Sequence, residues 1–381
     1  MITNSWLIWG ILAAATGFSI WASNNTKWGK FLGYVNVAII IGAIISNVGI
    51  LPVSSGEYGT IMNSFVPIGI VCMLFMADLT KLGKCGPKMI ICMLVASLVF
   101  LLVAIIGAIL FNMGGETWKV AAVAASYFTG NLQTAAGTAS SVELSSEMMA
   151  FFNAAAAVPW VIYSLGCYMV GRSPIPKFLR SYTDSDSGIT LSEQEQAEAR
   201  AHLDRKEVLL NINETAIVIG AAVLIVGVGQ WLGAVTNFYS IVFYATFGIL
   251  VANFTPIRKF VINDYLATFI FTMYMVTCGI GAHYSTFSRL PWQMFAYVIF
   301  IYVVSIVVFV VLLKVLRLPW EMGLLAHMAC VGGPIATPPL AKSYNWTDLV
   351  LPGIIIAVLG QVFGAYIGIG AGSIVRTILG G

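Results

Sequence analysis

The sequence predicts an all-α polytopic membrane protein. Two features of its composition lead to this prediction: 59% of the 381 residues are hydrophobic, and only 9% are charged. Ordinary soluble domains carry about 25% charged residues, so this chain has too few polar side chains to cover a surface in water. Its mean hydropathy of +0.91 points the same way. A lipid bilayer removes the need for a polar surface over most of the molecule.

Long runs without a charged residue mark the membrane crossings, because a spanning helix needs about 20 apolar residues and a charge at its centre is costly. The run over residues 215–257 is long enough for two spans, with a break near residues 233–238. Together the runs predict about twelve transmembrane helices. They cover residues 1–26, 31–56, 58–77, 89–115, 120–142, 148–171, 215–257, 265–288, 290–313, 322–341 and 349–375.

A hydrophilic stretch divides the chain into two membrane halves. Residues 1–171 form the first predicted repeat, residues 172–211 a linker predicted to be cytoplasmic, and residues 212–381 the second repeat. Within the linker, the capping-box pattern that begins at Thr190 predicts a short solvated helix. The positive-inside rule places the basic loop around Lys81 in the cytoplasm, which favours an inverted relation between the repeats.

The two halves share a pattern of landmarks. In each half a proline opens an apolar run, and a segment of small residues follows: Gly130 comes 43 residues after Pro87, and Gly332 comes 41 residues after Pro291. Internal repeats of this kind are typical of secondary transporters. The pattern therefore predicts a duplicated scaffold.

The two small-residue segments form the candidate site. Residues 130–141 combine two glycines with amide and hydroxyl groups, and residues 332–339 contain three prolines. Proline lacks an N–H and clashes with the preceding turn, so a continuous helix is not expected in the second segment. Backbone groups that lose their partners cannot face lipid and must lie within protein or line a cavity. Close helix packing through small residues is the alternative for each segment taken alone.

The residue types in these segments suggest two kinds of ligand. Helix N-termini favour anions, whereas exposed carbonyls with amide and hydroxyl oxygens can replace the hydration shell of a small cation. The predicted solute-binding residues are Gly130, Asn131, Gln133, Gly137, Thr138, Gly332, Gly333 and Ala336. The predicted sodium ligands are Asn131, Thr134, Thr138, Thr337 and Gln361, and further candidates for the cavity are Asn153, His327 and Asn47.

Several functions are disfavoured by what the sequence lacks. No Asp or Glu lies in the middle of a predicted span, so a cation coordinated by neutral groups fits better than a proton relay. No catalytic motif stands out, and the six cysteines lack metal-ligand spacing, so neither an enzyme nor an organic cofactor is expected. A net charge of +3 is too small to suggest a nucleic-acid partner.

The run GGPIATPPLAKSYNWTDLVLPGIIIAVLGQVFGAYIGIG, together with IISNVGILP and FMADL, resembles the YjcL-like family of integral membrane proteins of unknown function. That family is distantly similar to bile-acid:sodium symporters and cation:proton antiporters. The resemblance implies a panel domain and a core domain, with discontinuous helices that cross at residues 130–138 and 332–338. The first half departs from the pattern, since Gly130-Asn131 replaces a Gly-Gly pair and Phe152-Asn153 replaces an acidic Asp-Asn.

These observations lead to one main hypothesis and two alternatives. The chain is expected to be a secondary active transporter of the bacterial inner membrane that carries a small anionic or zwitterionic organic solute together with Na⁺. An elevator or rocking movement is expected, and a homodimer is a candidate assembly. The alternatives are a cation:proton antiporter, in which His327 could titrate, and a channel whose broken helices line a filter.

Overall fold

A computed structural model describes residues 2–77, 85–170, 179–183, 186, 211–281, 283–288, 291–344 and 346–380. Helices make up most of these residues. The main ones are α1 (Ser5–Asn25), α2 (Lys27–Asn47), α3 (Gly56–Leu74), α4 (Pro87–Phe111), α5 (Thr117–Gly130), α6 (Leu132–Ser141), α7 (Ser146–Val170), α8 (Ile212–Thr236), α9 (Ser240–Phe254), α10 (Ile262–Gly281), α11 (Trp292–Val315), α12 (Trp320–Ser343) and α13 (Val350–Leu379). A π-helical turn, Ile61–Phe65, lies within α3.

The helices confirm a polytopic membrane protein. Among the described residues, seven helices are long and apolar enough to cross a bilayer, namely α1, α3, α4, α8, α10, α11 and α13. The count of about twelve crossings and the inverted relation of the repeats stay predictions. The break expected near residues 233–238 lies where α8 ends and α9 begins. The helix predicted from Thr190 and the basic loop around Lys81 fall outside the described residues.

The helices pack into two bundles. Helices α1 to α3 pack chiefly against α8 to α10, and we call this group the flanking bundle. Helices α4 to α7 pack chiefly against α11 to α13, and we call this group the crossing bundle. Each half of the chain therefore supplies its first three main helices to one bundle and its later helices to the other.

Closely packed backbones join α5 to α13 inside the crossing bundle. Glycine recurs at every fourth position of α13, at Gly360, Gly364, Gly368 and Gly372. A Cβ atom added to Gly368 would lie 2.6 Å from the carbonyl oxygen of Ala122, and one added to Gly364 would lie 2.9 Å from the Cα atom of Gly130. Small residues allow such contact between membrane helices, which gain stability from close packing rather than from the hydrophobic effect. This contact holds the first small-residue segment against α13.

All six cysteines are buried. Cys330, for example, lies within α12 and donates to the sulfur of Met93 on α4 at 3.5 Å. This contact is internal to the crossing bundle.

Part of the linker lies across the ends of the crossing bundle. The hydroxyl of Ser181 and the backbone N–H of Tyr182 each donate to the carboxylate of Glu321, both at 2.7 Å. Glu321 is buried in the first turn of α12, and the N–H of Trp320 beside it donates to the carbonyl of Arg180 at 2.8 Å. These bonds compensate the buried carboxylate and attach the linker to α12.

Asp186 forms a second attachment, this time to α4. Its buried carboxylate pairs with Lys88 at the start of α4 and with Arg180 at 2.7 Å, and it accepts bonds from Thr183. Burial alone would raise the pKa of Asp186, but Lys88, Thr183 and Arg180 outweigh that effect and lower the pKa from 3.8 to about 2. The linker is therefore fixed to the crossing bundle by groups that require an ionised carboxylate.

This arrangement predicts an acid-sensitive contribution to stability. Because the pKa of Asp186 is depressed on folding, its contribution is complete above about pH 4 and disappears as the pH falls toward 2. Asp186→Asn should therefore melt at a lower temperature than the wild type at pH 7, and the difference should shrink below pH 4. Thermal unfolding of both proteins in detergent across this pH range tests the prediction. A difference that stays constant down to pH 2 would contradict it.

Candidate functional site

The backbone leaves helical geometry in both small-residue segments. Asn131, between α5 and α6, has φ 84° and ψ 179°. Gly333, inside α12, has φ 62° and ψ −160°. Both conformations lie in a region occupied almost exclusively by glycine. The breaks thus occur within the two segments for which the sequence predicted them.

The two breaks contact each other. A Cβ atom added to Gly333 would lie 2.7 Å from Nδ2 of Asn131 and 3.4 Å from its Cβ atom. The side chain of Asn131 therefore covers the place that a side chain at position 333 would need. Segments that are about 200 residues apart in sequence meet at this point, which we call the crossing.

Asn131 combines a strained backbone with a helix cap. Its Oδ1 atom accepts hydrogen bonds from the backbone N–H groups of Gln133 at 2.9 Å and Thr134 at 3.3 Å, and so caps α6. A non-glycine residue in this conformation costs about 1–3 kcal/mol. The cap offsets part of this cost, and Nδ2 is left to donate into the crossing.

Three buried amides, two from the first break and one from α13, converge here. The Oε1 atom of Gln133 accepts from Nδ2 of Asn131 at 3.4 Å and from Nε2 of Gln361 at 3.3 Å. Asn131, Gln133 and Gln361 are 7%, 8% and 5% exposed. Both bonds are longer than the usual 2.7–3.2 Å, so they are weak and can be exchanged for bonds to a ligand. We call these three side chains the amide cluster.

The predicted threonine ligands lie close to the breaks and bond locally. The hydroxyl of Thr134 donates to the carbonyl of Gly130 at 2.9 Å, and that of Thr337 donates to the carbonyl of Gly333 at 2.8 Å. At both breaks, therefore, a threonine hydroxyl donates to the backbone carbonyl four residues earlier. Each threonine oxygen keeps its acceptor capacity and could still bind a cation.

Thr138 lies one turn beyond Thr134 and makes a different contact. Its hydroxyl bonds to that of Ser126 on α5 at 2.7 Å, and Ser126 also donates to the carbonyl of Gly364 at 3.0 Å. Ser126 was not among the residues predicted from the sequence, although a serine within the alanine-rich helix α5 is a signal of a polar contact. Ser126 ties both parts of the first broken segment to α13.

The helix ends at the crossing supply the local electrostatic field. Each break presents the C-terminal end of one helical segment and the N-terminal end of the next, with opposite partial charges. Pro334 follows the second break and has no N–H to offer to the carbonyl of Cys330. Among the described hydrogen-bond partners of the amide cluster there is no charged side chain.

Some predicted site residues lie elsewhere or have a packing role. Asn47 is exposed at the end of α2 and accepts from the backbone N–H of Tyr284 at 2.9 Å, so it lies outside the amide cluster. A Cβ atom added to Gly137 would lie 1.9 Å from Cδ1 of Ile70, which makes Gly137 a contact between α6 and the flanking bundle. Ala336 packs beside Gly332, at 2.5 Å from the Cβ position of that glycine.

His327 lies in a buried aromatic environment within the crossing bundle. Its Nδ1 atom is 2.7 Å from the hydroxyl of Tyr163, and its ring centroid lies 4.7 Å from that of Phe100 and 5.1 Å from that of Phe309. A protonated imidazole here would be a buried charge without a carboxylate among its described partners, which is costly. The surroundings of His327 thus favour a neutral, structural histidine.

Comparison with known proteins gives two matches. A family model described as "Protein of unknown function (DUF819)" matches residues 10–378. A curated relative, the "Uncharacterized membrane protein YjcL" of Bacillus subtilis (strain 168), is 24% identical over 390 residues, and the match covers 95% of each chain. Both matches include the two breaks and the amide cluster.

Proposed function

The chain belongs to the DUF819 family of membrane proteins, and on that premise we propose that it is a secondary active transporter. Its cargo in this proposal is a small anionic or zwitterionic organic solute, carried together with Na⁺ across the bacterial inner membrane. The observation that carries the proposal is the meeting of two helix breaks, at Asn131 and Gly333, around buried amides. Broken helices that pair in this way form the substrate and ion sites of many secondary transporters.

The solute is assigned to the N-terminal ends of the helical segments at the crossing. An anionic group would accept from backbone N–H groups at the starts of the segments that follow Gly130 and Gly333, and from the Asn131 amide. The partial positive charge of a helix N-terminus favours a carboxylate in this position. The weak bonds within the amide cluster can open to admit it.

Sodium is assigned to the oxygen atoms near the same breaks. These belong to Asn131, Thr134, Thr138, Thr337 and Gln361, together with the carbonyls at the ends of the broken segments. Such neutral oxygen ligands suit a small hard cation. Proton coupling is less well supported, because the described partners of the amide cluster include no carboxylate and His327 lies in an apolar environment.

The two bundles provide a means of alternating access. The crossing bundle carries both breaks and the attached part of the linker, so it would move as one unit against the flanking bundle. At this boundary the side chain of Ile70 fills the space beside the backbone of Gly137, so the two bundles pack closely there. A channel would not need such a division into bundles, and it would conduct without coupling solute to ion.

Thermal unfolding in detergent tests the sodium assignment. A ligand that binds the folded state at a hundredfold excess over its Kd stabilises it by about 2.7 kcal/mol. Replacing K⁺ with Na⁺ at equal ionic strength should therefore raise the melting temperature of the wild type. Asn131→Gly should weaken the effect markedly, whereas Asn47→Ala, which alters an amide outside the cluster, should retain it in full. Equal melting temperatures of the wild type in Na⁺ and K⁺ would remove the sodium assignment.

A further inference from the structure

A second group of buried polar atoms lies between the two bundles. Among the residues that the structure describes, neither amide atom of Asn153 on α7 has a partner with hydrogen-bond geometry, and the same is true of the hydroxyl of Tyr274 on α10. Asn153 is 7% exposed and Tyr274 is 3% exposed. The Asn153 amide lies near the Tyr274 hydroxyl and the thiol of Cys278 across the boundary, but without the geometry of a hydrogen bond to either. Buried polar groups nearly always have partners, so three unpaired atoms in one place require an explanation.

This position is close to the crossing but separate from the amide cluster. Phe152, the residue before Asn153, packs its ring against that of Tyr127 with centroids 5.5 Å apart. Tyr127 lies one turn before the first break, and its carbonyl accepts the backbone N–H of Asn131 at 2.9 Å. A solute held at the crossing could therefore extend toward Asn153. Because α7 belongs to the crossing bundle and α10 to the flanking bundle, such a solute would touch both moving parts.

The unpaired atoms indicate which chemical group of a ligand could bind between Asn153 and Tyr274. The Asn153 amide offers one acceptor and a donor group, and the Tyr274 hydroxyl can do either. A small cation would use the oxygens but would leave the amide N–H₂ without an acceptor. A hydroxyl or carboxamide can both donate and accept, so it satisfies all three positions better than a cation or a carboxylate does.

We propose that Asn153 and Tyr274 form a subsite that binds a hydroxyl or carboxamide group of the transported solute. The proposal rests on the transport function proposed above and narrows its substrate class to solutes that carry a neutral hydrogen-bonding group besides the charged one. The subsite lies at the boundary of the bundles, so binding there would also link the solute to their relative position.

Two variants and one matched control separate a ligand subsite from a structural contact. Asn153→Leu and Tyr274→Phe remove polar atoms that make no hydrogen bond with the described residues, so the ligand-free variants should melt at or above the wild-type temperature. Tyr297→Phe is the control, because the buried Tyr297 hydroxyl donates to the carbonyl of Ala104 at 3.0 Å and its loss should lower the melting temperature. A comparable fall in Asn153→Leu and Tyr274→Phe would show a structural role, such as a fixed water bridge, and would overturn the proposal.

Ligand-dependent stabilisation is then measured with pairs of solutes that differ by one hydroxyl: propionate and lactate, succinate and malate, alanine and serine. In the wild type, the hydroxylated member of a pair that binds should act at about tenfold lower concentration. In Asn153→Leu and Tyr274→Phe this advantage should disappear, and Tyr297→Phe should retain it. The subsite proposal is overturned if the hydroxylated solute keeps its higher affinity in both variants, or if no pair that binds shows a difference. Either result leaves the transporter proposal unaffected. If no pair binds, the carrier proposal fails, and the subsite fails with it.

Discussion

Gly333→Ala is expected to abolish ligand binding at the crossing and to reduce stability. The new Cβ atom would lie 2.7 Å from Nδ2 of Asn131, so the Asn131 amide must move away from the position it now holds. Alanine at φ 62° also adds backbone strain of about 1–2 kcal/mol. Stabilisation by Na⁺ relative to K⁺ should consequently be lost, and the melting temperature should fall.

Gly33→Ala is the matched control for this effect. Gly33 has a similar positive φ of 74°, but none of the described neighbouring atoms lies within 4 Å of its Cβ position. The two substitutions therefore share the backbone strain, and only Gly333→Ala displaces the Asn131 amide. Both variants should lose stability, but Gly33→Ala should still respond to Na⁺. If both variants keep the response, or both lose it, the contact between the two breaks does not control binding.

Asn131→Gly is expected to separate stability from binding. Glycine adopts the backbone conformation of position 131 without the 1–3 kcal/mol that asparagine incurs there, and replacing a capping residue by glycine costs only about a few tenths of a kcal/mol. The variant should therefore be at least as stable as the wild type. Its affinity for solute or Na⁺ should fall about 10- to 100-fold, because hydrogen bonds to charged groups contribute about 1.5–3 kcal/mol.

Equilibrium unfolding and ligand titration of the same preparation measure the two effects together. A marked loss of stability would show that the asparagine is retained for the cap rather than for a ligand. Wild-type affinity in a stable variant would show that the cargo does not touch the Asn131 amide. Either result would remove Asn131 from the binding site.

Much of the architecture follows from the sequence because the bilayer constrains it so strongly. Charge-free runs located the apolar helices, since a charge within a span is costly. Pro334 and its neighbours located the second break, because proline cannot continue the hydrogen-bond pattern. The first break was found from glycine content and from its repeat partner, although its strained residue proved to be Asn131 rather than a glycine.

Contacts between segments that are distant in the chain could not be predicted from the sequence in this way. That Gln361 donates to Gln133 depends on how α13 packs against the first broken segment, and this is set by the glycine ridge of α13 as a whole. Asn47 has the same amide chemistry as Asn131 but lies at the end of α2, where it binds the backbone of Tyr284. Residue type and local pattern thus identified the chemistry of the site, whereas helix packing decided which of the candidates meet.

A density map of the protein in lipid nanodiscs, determined with Na⁺ and a solute that stabilises it, tests the central claim most directly. We predict density for the cargo at the crossing, within hydrogen-bond distance of the Asn131 amide and beside the Gly333 backbone. We also predict that the backbone leaves helical geometry at both residues. Cargo density away from these residues, or continuous helices through residues 130–141 and 332–339 that do not touch, would contradict the account.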